Sequence, residues 1–170
     1  MHIDLYTATK NTDLIAMSAQ TAVQDLLDIN AVQTLQRFHH WRLFLNTNDS
    51  ASIDALKAGV SDCYFLINPN KEHLYIDSLP DAKRSNAAHY RLEVSDRAEN
   101  GHPSLLGQCE RHGLSMISRI ESSTVWDIYT DPEFTESELV RQVVQTESMH
   151  QGLLVNPITQ TWKLLQHVSH

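Results

Sequence analysis

Histidine and cysteine are the residue types in this chain that could bind a metal or act as a nucleophile. The 170 residues include ten His and two Cys. Cys109 and His112 lie three residues apart on a predicted helix, where a thiolate and an imidazole can share one face. No second pair with ligand spacing accompanies them. We therefore expect a small buried thiol at Cys109 and an exposed His112, and predict no metal site.

Two further positions carry the same residue types but do not predict a site. His39 and His40 are neighbours in a predicted strand and point to opposite faces, so they cannot chelate one ion together. Cys63 lies at the start of an apolar segment and is expected to be a buried, inert thiol. In a chain that is not exported, both cysteines are expected to be reduced.

The sequence lacks the motifs of nucleotide binding and of the common hydrolases. It has no GxGxxG, GxxxxGK[ST], GxSxG or HExxH pattern, and its five glycines are widely spaced. Glu136 and Glu138 lie in the first turn of a predicted helix, where the helix dipole accounts for them. The sequence therefore predicts no catalytic residue and no cofactor site, and leaves open whether the chain is an enzyme.

The chain resembles one pattern written twice. The clearest matches lie 85 to 88 residues apart and occur in the same order, which is difficult to attribute to chance. We infer a tandem duplication of a domain of about 75 residues, because this period is too long for a solenoid. The matched segments are His2–Tyr6 with His89–Glu93, His40–Phe44 with Val125–Tyr129, and Phe65–Pro69 with Leu153–Pro157.

This duplication predicts two domains joined by a short linker. Residues 1–77 form the first repeat, residues 78–88 form a polar linker, and residues 89–170 form the second repeat. Trp41 and Trp126 occupy matched strand positions, where we expect packing at an interface between the repeats. Arg42 and Asp127 follow them with opposite charge and could form a contact between repeats.

Each half is predicted to have the element order β-α-β-β-α-β of a ferredoxin-like unit. In the first half, the strands are predicted at Ile3–Thr7, Ala31–Phe38, His40–Asn46 and Tyr64–Ile76. The helices of that half are predicted at Asp13–Leu27, with a stripe of Ile15, Ala19, Ala22 and Leu26, and at Ser50–Gly59, with Ile53, Leu56 and Val60.

The second half repeats this order with clearer signals at the helix ends. Gly113 is predicted to end its first helix, and Thr135 and Glu138 form a capping box at the start of its second. The first three strands are predicted at Tyr90–Val94, Ser115–Glu121 and Thr124–Thr130, with a turn at Ser122–Ser123. The last strand is predicted at Leu153–Val155, is interrupted by Asn156-Pro157 and resumes at Trp162–Leu165. The helices are predicted at His102–His112 and Thr135–Glu147. The predicted fold class is α+β, with two tandem ferredoxin-like βαββαβ units packed as a pseudo-two-fold dimer of antiparallel sheets.

Composition narrows the classes of function. Hydrophobic residues make up 41% and charged residues 20% of the chain, and the net charge is −8. No basic patch is present, so we expect no nucleic-acid partner. No apolar stretch approaches the roughly 20 residues of a spanning helix, and the N-terminal residues do not form a secretory signal. We therefore expect no membrane partner and a cytoplasmic protein.

The second half also resembles a known family. A Pro103 before the first helix, the segment Leu105–Leu114 and the closing segment Gly152–Trp162 are similar to PurS, the small accessory subunit of phosphoribosylformylglycinamidine synthase. The first half keeps the layout, including Leu66–Pro69. The resemblance implies a tandem-duplicated form that acts as a built-in dimer.

The resemblance further implies a non-catalytic role in de novo purine biosynthesis. The family bridges the synthetase and glutaminase subunits of the complex and supports ammonia transfer between them, and further homo-oligomers are compatible with it. The candidate interface residues are Asn68, Pro69, Asn156, Pro157, Trp41 and Trp126.

Two other functions remain open. Duplicated ferredoxin-like units also form small-molecule-sensing regulatory modules, in which a glycine-containing turn after the first strand admits the ligand. Only the second half has such a turn, at Asp96–Gly101. A small enzyme that uses His and acidic residues in a cleft is the third possibility, although no residue constellation marks it.

Overall fold

Six strands and four α-helices make up the part of the chain that the computed structural model describes, residues 1–80, 86–98, 101–146, 148 and 151–168. The first five elements are β1 (His2–Thr9), α1 (Leu14–Thr21), β2 (Val32–Leu45), α2 (Ser50–Gly59) and β3 (Glu72–Ile76). The last five are β4 (Ala88–Asp96), α3 (Pro103–Arg111), β5 (Ile117–Thr130), α4 (Glu136–Leu139) and β6 (Gln160–Val168). Short π-helical turns extend α1 to Leu26 and α4 to Val144, and a 3₁₀ turn extends α2 to Asp62.

The strands form one six-stranded antiparallel sheet with the order β3-β1-β2-β5-β4-β6. In the pairing of β1 with β2, Asp4 lies opposite Arg42 and Tyr6 opposite His40. In the pairing of β4 with β5, Arg91 lies opposite Asp127 and His89 opposite Tyr129. The α+β class predicted from the sequence is confirmed.

The predicted turn at Ser122–Ser123 is wrong, as is the predicted division between Ala31–Phe38 and His40–Asn46, because each half has one long strand where the sequence predicted two short ones. Strands β2 and β5 run for 14 residues each without interruption. Serine favours turns when its hydroxyl bonds to its own local backbone. Here the hydroxyls of Ser122 and Ser123 instead bond to the imidazoles of His102 and His40. The element order of each half is therefore β-α-β-α-β.

The chain forms two compact units, and each combines segments from both halves of the sequence. Unit 1 contains Met1–Asn11, Phe38–Pro80 and Glu99–Ser123, and unit 2 contains Thr12–Arg37, Asp81–Ala98 and Thr124–His170. The predicted division into residues 1–77, 78–88 and 89–170 is a division of the sequence and stays a prediction. Residues 81–85 of the predicted linker lie outside the described residues.

Each unit has its own apolar core. The core of unit 1 includes Cys63 and Cys109, so the prediction of buried thiols is confirmed. The helix face of α2 predicted by Ile53, Leu56 and Val60 is also buried there. The core of unit 2 is built around β4, β5 and the α4 segment, and contains Tyr90, Leu92, Trp126, Ile128, Leu139 and Val143 among its buried residues.

The predicted apolar stripe of α1 is wrong at its two ends, because Ala19 packs on the core but Ile15 and Leu26 are exposed. Asp13 caps this helix and accepts hydrogen bonds from the backbone N–H groups of Ile15 and Ala16. The buried residues of this segment are Ala16 and Val23, and Ala19 is partly buried against the same core, whereas the Ile15 side chain is 55% exposed and Leu26 is 75% exposed. The segment is apolar on both faces, so spacing alone did not identify the buried one.

The helix ends of the second half follow the sequence closely. Gly113 adopts φ 79° two residues after the end of α3, and the N–H of Leu114 donates to the Cys109 carbonyl, as expected for a glycine-terminated helix. Thr135 and Glu138 form the predicted capping box. The helical segment ends at Val144, and Glu147 of the predicted helix lies outside the described residues.

The predicted strand at Tyr64–Ile67 is wrong. The N–H groups of Leu66 and Ile67 donate to the Cys63 carbonyl, which makes this segment a turn, and the strand begins only at Glu72. The corresponding Leu153–Val155 contributes a single bridge between Val155 and Gln145. Both apolar segments are therefore partly buried loops that lead into an edge strand.

Candidate functional site

The structure groups four polar and aromatic side chains on β1 and β2 of unit 1. Asp4 and Tyr6 alternate along β1, and His40 and Arg42 alternate along β2, so all four share one sheet face. We call this group the Asp4 cluster. The Asp4 carboxylate accepts from Arg42 Nε at 2.8 Å and from His40 Nε2 at 3.0 Å. The imidazole of His40 stacks on the Tyr6 ring, with centroids 4.5 Å apart.

Unit 2 contains the same four residue types with the two strands interchanged. His89 and Arg91 lie on β4, and Asp127 and Tyr129 lie on β5; we call this group the Asp127 cluster. Arg91 donates to both carboxylate oxygens of Asp127, at 2.7 and 2.8 Å, and His89 Nε2 lies 3.2 Å from Oδ1. The His89 and Tyr129 rings stack with centroids 4.8 Å apart. The two clusters therefore contain the same residue types in matching pairs, with the closer arginine–carboxylate contact in unit 2 and the closer histidine–carboxylate contact in unit 1.

Both carboxylates are held ionised by their partners. Burial by itself raises the pKa of Asp4, but the hydrogen bonds from His40 and Arg42 outweigh it and lower the pKa from 3.8 to about 2. Burial also opposes ionisation of Asp127, whose side chain is 1% exposed, and the bonds from Arg91 and His89 again lower its pKa. An ionised carboxylate accepts hydrogen bonds only, so it fixes its partners as donors.

His2 also lies near the Asp4 cluster, with Nε2 3.6 Å from Asp4 Oδ2, and a further contact comes from Ser123 of β5. Its Oγ lies 2.7 Å from His40 Nδ1, so His40 is bonded through both ring nitrogens. Next to it, the Ser122 hydroxyl lies 2.7 Å from His102 Nε2. In the Asp127 cluster, no serine hydroxyl among the described residues bonds to His89. The serine therefore distinguishes one cluster from the other.

The predicted placement of the two adjacent histidines is confirmed: His39 is exposed and His40 is 2% exposed. The clusters were not recognised as sites in the sequence, because the hydrogen-bonded partners on different strands are 36 to 83 positions apart. One signal was available in the sequence. Asp4-Leu5-Tyr6-Thr7 matches Asp127-Ile128-Tyr129-Thr130, and His40-Trp41-Arg42-Leu43 matches His89-Tyr90-Arg91-Leu92. These matches pair β1 with β5 and β2 with β4, a different alignment from the tandem offset of 85 to 88 residues.

Asn68 and Asn156 occupy the same kind of turn in the two units. The Asn68 carbonyl accepts from the N–H groups of Lys71 and Glu72, and the Asn156 carbonyl accepts from those of Thr159 and Gln160. In each turn the asparagine side chain also accepts from the N–H two residues ahead. Pro69 and Pro157 follow, and each turn leads directly into an edge strand, β3 or β6.

A side chain four residues after each asparagine closes the turn. The N–H of Asn68 donates to Glu72 Oε2 at 2.7 Å, and the N–H of Asn156 donates to Gln160 Oε1 at 3.0 Å. Asn156 is exposed, while Asn68, Pro69 and Pro157 are partly buried. The Asn-Pro pairs therefore form the hydrogen-bonded turns that precede the edge strands β3 and β6.

The two tryptophans have different surroundings. Trp126 is 6% exposed and belongs to the core of unit 2. Trp41 is partly buried against the core of unit 1, and its ring contacts those of His39 and His102 edge-on, at 4.3 and 5.1 Å. Their packing within these units does not test the predicted contact between repeats.

A pocket of about 200 Å³ lies beside the Asn156 turn in unit 2. Its lining includes Arg97, Pro157, Gln160 and Trp162. The guanidinium of Arg97 donates through Nε to the Gln160 carbonyl. Arg97 lies in the predicted ligand-admitting turn, of which residues 99 and 100 lie outside the described residues. The pocket combines a cation, an aromatic ring and amide groups, which suits a small anionic ligand.

Comparison with protein-family models, with curated proteins and with solved structures finds no significant match to this chain. Among the described residues, no group of three or more His, Cys, Asp or Glu side chains is arranged to hold a metal ion. None of the helices in the described part of the chain is both long enough and apolar enough to span a bilayer.

Proposed function

We propose that the chain is a duplicated, PurS-like accessory subunit that bridges the synthetase and glutaminase subunits of phosphoribosylformylglycinamidine synthase and supports ammonia transfer between them. One observation carries this proposal: the Asn-Pro segments behind the resemblance form the same hydrogen-bonded turn in both units, and each turn leads into an edge strand. A bridging subunit needs two docking surfaces, and two similarly built edges meet that need.

The composition of the units supports a ferredoxin-like duplication with exchanged segments. Unit 1 holds strands in the order β3, β1, the end of β2 and the start of β5, together with α2 and α3. In a ferredoxin-like sheet, the strands lie side by side in the order fourth, first, third and second. Unit 1 has this order if α3 acts as its first helix and the start of β5 acts as its second strand. Unit 2 follows the same scheme with α1 and the start of β2.

Edge strands β3 and β6 are suited to docking because an edge strand presents backbone groups that a partner strand can pair with. The exposed Asn156 and the partly buried Pro157 lie directly before β6. Asn68 and Pro69 lie in the same position before β3. We expect one turn and its edge strand to contact the synthetase subunit and the other to contact the glutaminase subunit.

The test is reconstitution with the synthetase and glutaminase subunits of the same organism. Amidine formation is measured with glutamine and with ammonia, in the presence and absence of this chain. We expect the glutamine-dependent rate to require this chain and the ammonia-dependent rate to require it less. If neither rate changes and no complex elutes from a sizing column, the proposal is wrong.

Paired variants assign the two edges. Asn156→Ala with Pro157→Ala alters one turn, and Asn68→Ala with Pro69→Ala alters the other as the matched control. Each double variant is expected to weaken binding to a different partner subunit, with far-ultraviolet circular dichroism showing that the fold is kept. Loss of neither interaction would contradict docking through these turns.

The pocket beside Arg97 favours a second candidate, a small-molecule-sensing module. Its chemistry points to a small anion, such as an amino acid or a nucleotide, held by the guanidinium and the Trp162 ring. A thermal-shift screen of such compounds tests this function. The expected result is a rise in melting temperature that Arg97→Gln abolishes. No shift with any compound would remove this candidate.

A further inference from the structure

Ser123 lies at one end of a hydrogen-bonded series of three residues in unit 1. Its Oγ is 2.7 Å from His40 Nδ1, and His40 Nε2 is 3.0 Å from Asp4 Oδ1. A hydroxyl, an imidazole and a carboxylate in this order are the parts of a nucleophilic triad, which is recognised by geometry and roles and not by sequence position. Here Nδ1 faces the serine and Nε2 faces the acid.

The protonation of this series follows from the acid. Asp4 is ionised, because its pKa is about 2, and it can only accept. His40 Nε2 therefore donates a proton to the carboxylate. In the neutral imidazole, Nδ1 then carries the lone pair and accepts the bond from the Ser123 hydroxyl. This is the arrangement in which a histidine withdraws the proton of a serine as a general base.

The surrounding side chains hold this histidine in one orientation. Arg42 fixes the Asp4 carboxylate from the neighbouring strand, and the Tyr6 ring stacks on the imidazole with an interplanar angle of 12°. The His40 side chain is 2% exposed, whereas Ser123 is partly exposed. The imidazole ring is thus largely buried, and the hydroxyl bonded to its Nδ1 is the part of the series nearest to solvent.

The geometry points to a further activity: we propose that Ser123 is a nucleophile, activated by His40 and positioned by Asp4, that hydrolyses small activated carboxylic esters. Such esters suit the site because a good leaving group departs with little stabilisation of the tetrahedral oxyanion. This activity goes beyond the accessory role proposed above and does not depend on it.

The reaction balances as the hydrolysis of an ester. Ser123 Oγ forms a bond to the ester carbonyl carbon as its proton passes to His40 Nδ1. The bond to the leaving oxygen then breaks, and His40 returns the proton to the departing alcohol. Water, deprotonated by His40, attacks the acyl-serine, which releases the carboxylic acid and restores the hydroxyl.

Two other groups of residues in the molecule resemble the Ser123–His40–Asp4 series but lack one of its parts. The Asp127 cluster repeats the Asp, His, Arg and Tyr of the Asp4 cluster, but no described serine bonds to His89. The carboxylate-arginine-histidine group by itself therefore has a structural role. Ser122 is hydrogen-bonded to His102, but no carboxylate among the described residues forms an ion pair or hydrogen bond with that imidazole. Ser122 is the matched control for Ser123.

The test treats the full chain with a fluorophosphonate probe, which forms an Oγ–P bond with an activated serine and releases fluoride. Intact mass and peptide mapping are expected to show one adduct, at Ser123. We expect Ser123→Ala to abolish the adduct and Ser122→Ala to keep it.

Hydrolysis of p-nitrophenyl acetate gives a second measurement. Ser123→Ala is expected to lower the rate at least about 10-fold, and Asp4→Asn to lower both hydrolysis and labelling, with thermal melting confirming that each variant is folded. Three results overturn the proposal: no adduct on the folded wild-type protein, an adduct at another residue only, or a hydrolysis rate that Ser123→Ala does not change.

Discussion

Arg91 and Asp127 form a two-point ion pair in unit 2, with Nε 2.7 Å from Oδ1 and Nη2 2.8 Å from Oδ2. The side chains are 9% and 1% exposed. Arg42 and Asp4 form the corresponding pair in unit 1. Its second contact is longer, at 3.4 Å, and the Arg42 side chain is 26% exposed. The same arginine–aspartate ion pair is therefore buried in unit 2 and partly exposed to solvent in unit 1.

This difference predicts unequal costs for removing the two arginines. Arg91→Met leaves a buried carboxylate without its main partner and is expected to lower the free energy of unfolding by about 3–5 kcal/mol. Arg42→Met is the matched control and is expected to cost about 1 kcal/mol, because solvent screens the remaining charge. Urea denaturation at pH 7 measures both values. Equal losses would contradict the assignment of the buried pair.

A double variant separates the cost of leaving a buried charge unpaired from the stabilisation that the ion pair itself provides. Replacing both partners, with Arg91→Met and Asp127→Leu, removes the unpaired charge as well as the ion pair. We expect this double variant to be more stable than Arg91→Met alone, because apolar residues of similar volume can replace a buried pair at little cost. Urea denaturation tests this. A double variant that is less stable than Arg91→Met would show that the pair itself stabilises unit 2.

The lowered pKa of Asp4 predicts how stability changes with pH. The folded-state pKa is about 2, below the ordinary value of 3.8. The ionised carboxylate therefore stabilises the folded state above about pH 4, and this contribution is lost as the pH falls from about 4 to about 2. Asp4→Asn is expected to reduce stability at pH 6 and to change it little at pH 2.

Chemical denaturation of Asp4→Asn at several pH values between 2 and 6 provides the measurement. Asp25→Asn, at an exposed position of the first helical segment, serves as the control and is expected to follow the wild-type curve. The prediction is wrong if the two variants show the same dependence on pH.

The sequence predicted those features that local chemistry determines. The capping box at Thr135, the end of α3 at Gly113 and the buried face of α2 were all identified from neighbouring residues. The long strands β2 and β5 were not, because Ser122 and Ser123 have turn propensity and their histidine partners are distant in the chain. Tertiary bonding determined the conformation of that segment.

The same reason explains why the candidate site was missed. Asp4, His40 and Ser123 come together only when three strands align side by side. The sequence does contain Asp-x-Tyr-Thr and His-x-Arg-Leu twice each. Their order along the chain differs between the halves, so an alignment at one fixed offset places Arg42 against Asp127 and hides the repeat.

Burial predicts the reactivity of the two cysteines. Burial and the neighbouring Cys63 thiol raise the pKa of Cys109 to about 11, and burial followed by the charge of Asp62 raises the pKa of Cys63. Because the thiolate is the reactive form, both are expected to react slowly with Ellman's reagent at pH 8, with Cys109 slower. The rate should increase steeply in urea as the protein unfolds. Complete reaction of the folded protein within seconds would contradict this.

The Asn68 turn predicts which substitutions Glu72 tolerates. Glu72 accepts from the Asn68 N–H at 2.7 Å and from the Thr7 hydroxyl at 3.3 Å, while glutamine performs the first role in the Asn156 turn. Glu72→Gln is therefore expected to change the free energy of unfolding by less than about 0.5 kcal/mol. Glu72→Ala is expected to cost about 1 kcal/mol. Thermal or urea unfolding measures both, and equal effects would show that the closing bond is unimportant.

Among the glycines, Gly152 is the position where an added methyl group is expected to reduce the stability of the fold most. Its φ is 74°, and a Cβ at this position would lie 1.7 Å from the carbonyl oxygen of Gln145. Both the backbone conformation and the backbone contact oppose a side chain. Gly152→Ala is therefore expected to lower the free energy of unfolding by about 3 kcal/mol or more.

Two other glycines separate the causes of that loss. Gly113 has φ 79° but open space around its Cβ position, so Gly113→Ala is expected to cost only the backbone strain, about 1 kcal/mol. Gly107 lies inside α3 with open space as well, so Gly107→Ala is expected to stabilise the protein by about 0.5–1 kcal/mol. Urea denaturation of the three variants should give this order. If Gly152→Ala costs no more than Gly113→Ala, the close approach of Gln145 is not a constraint in solution.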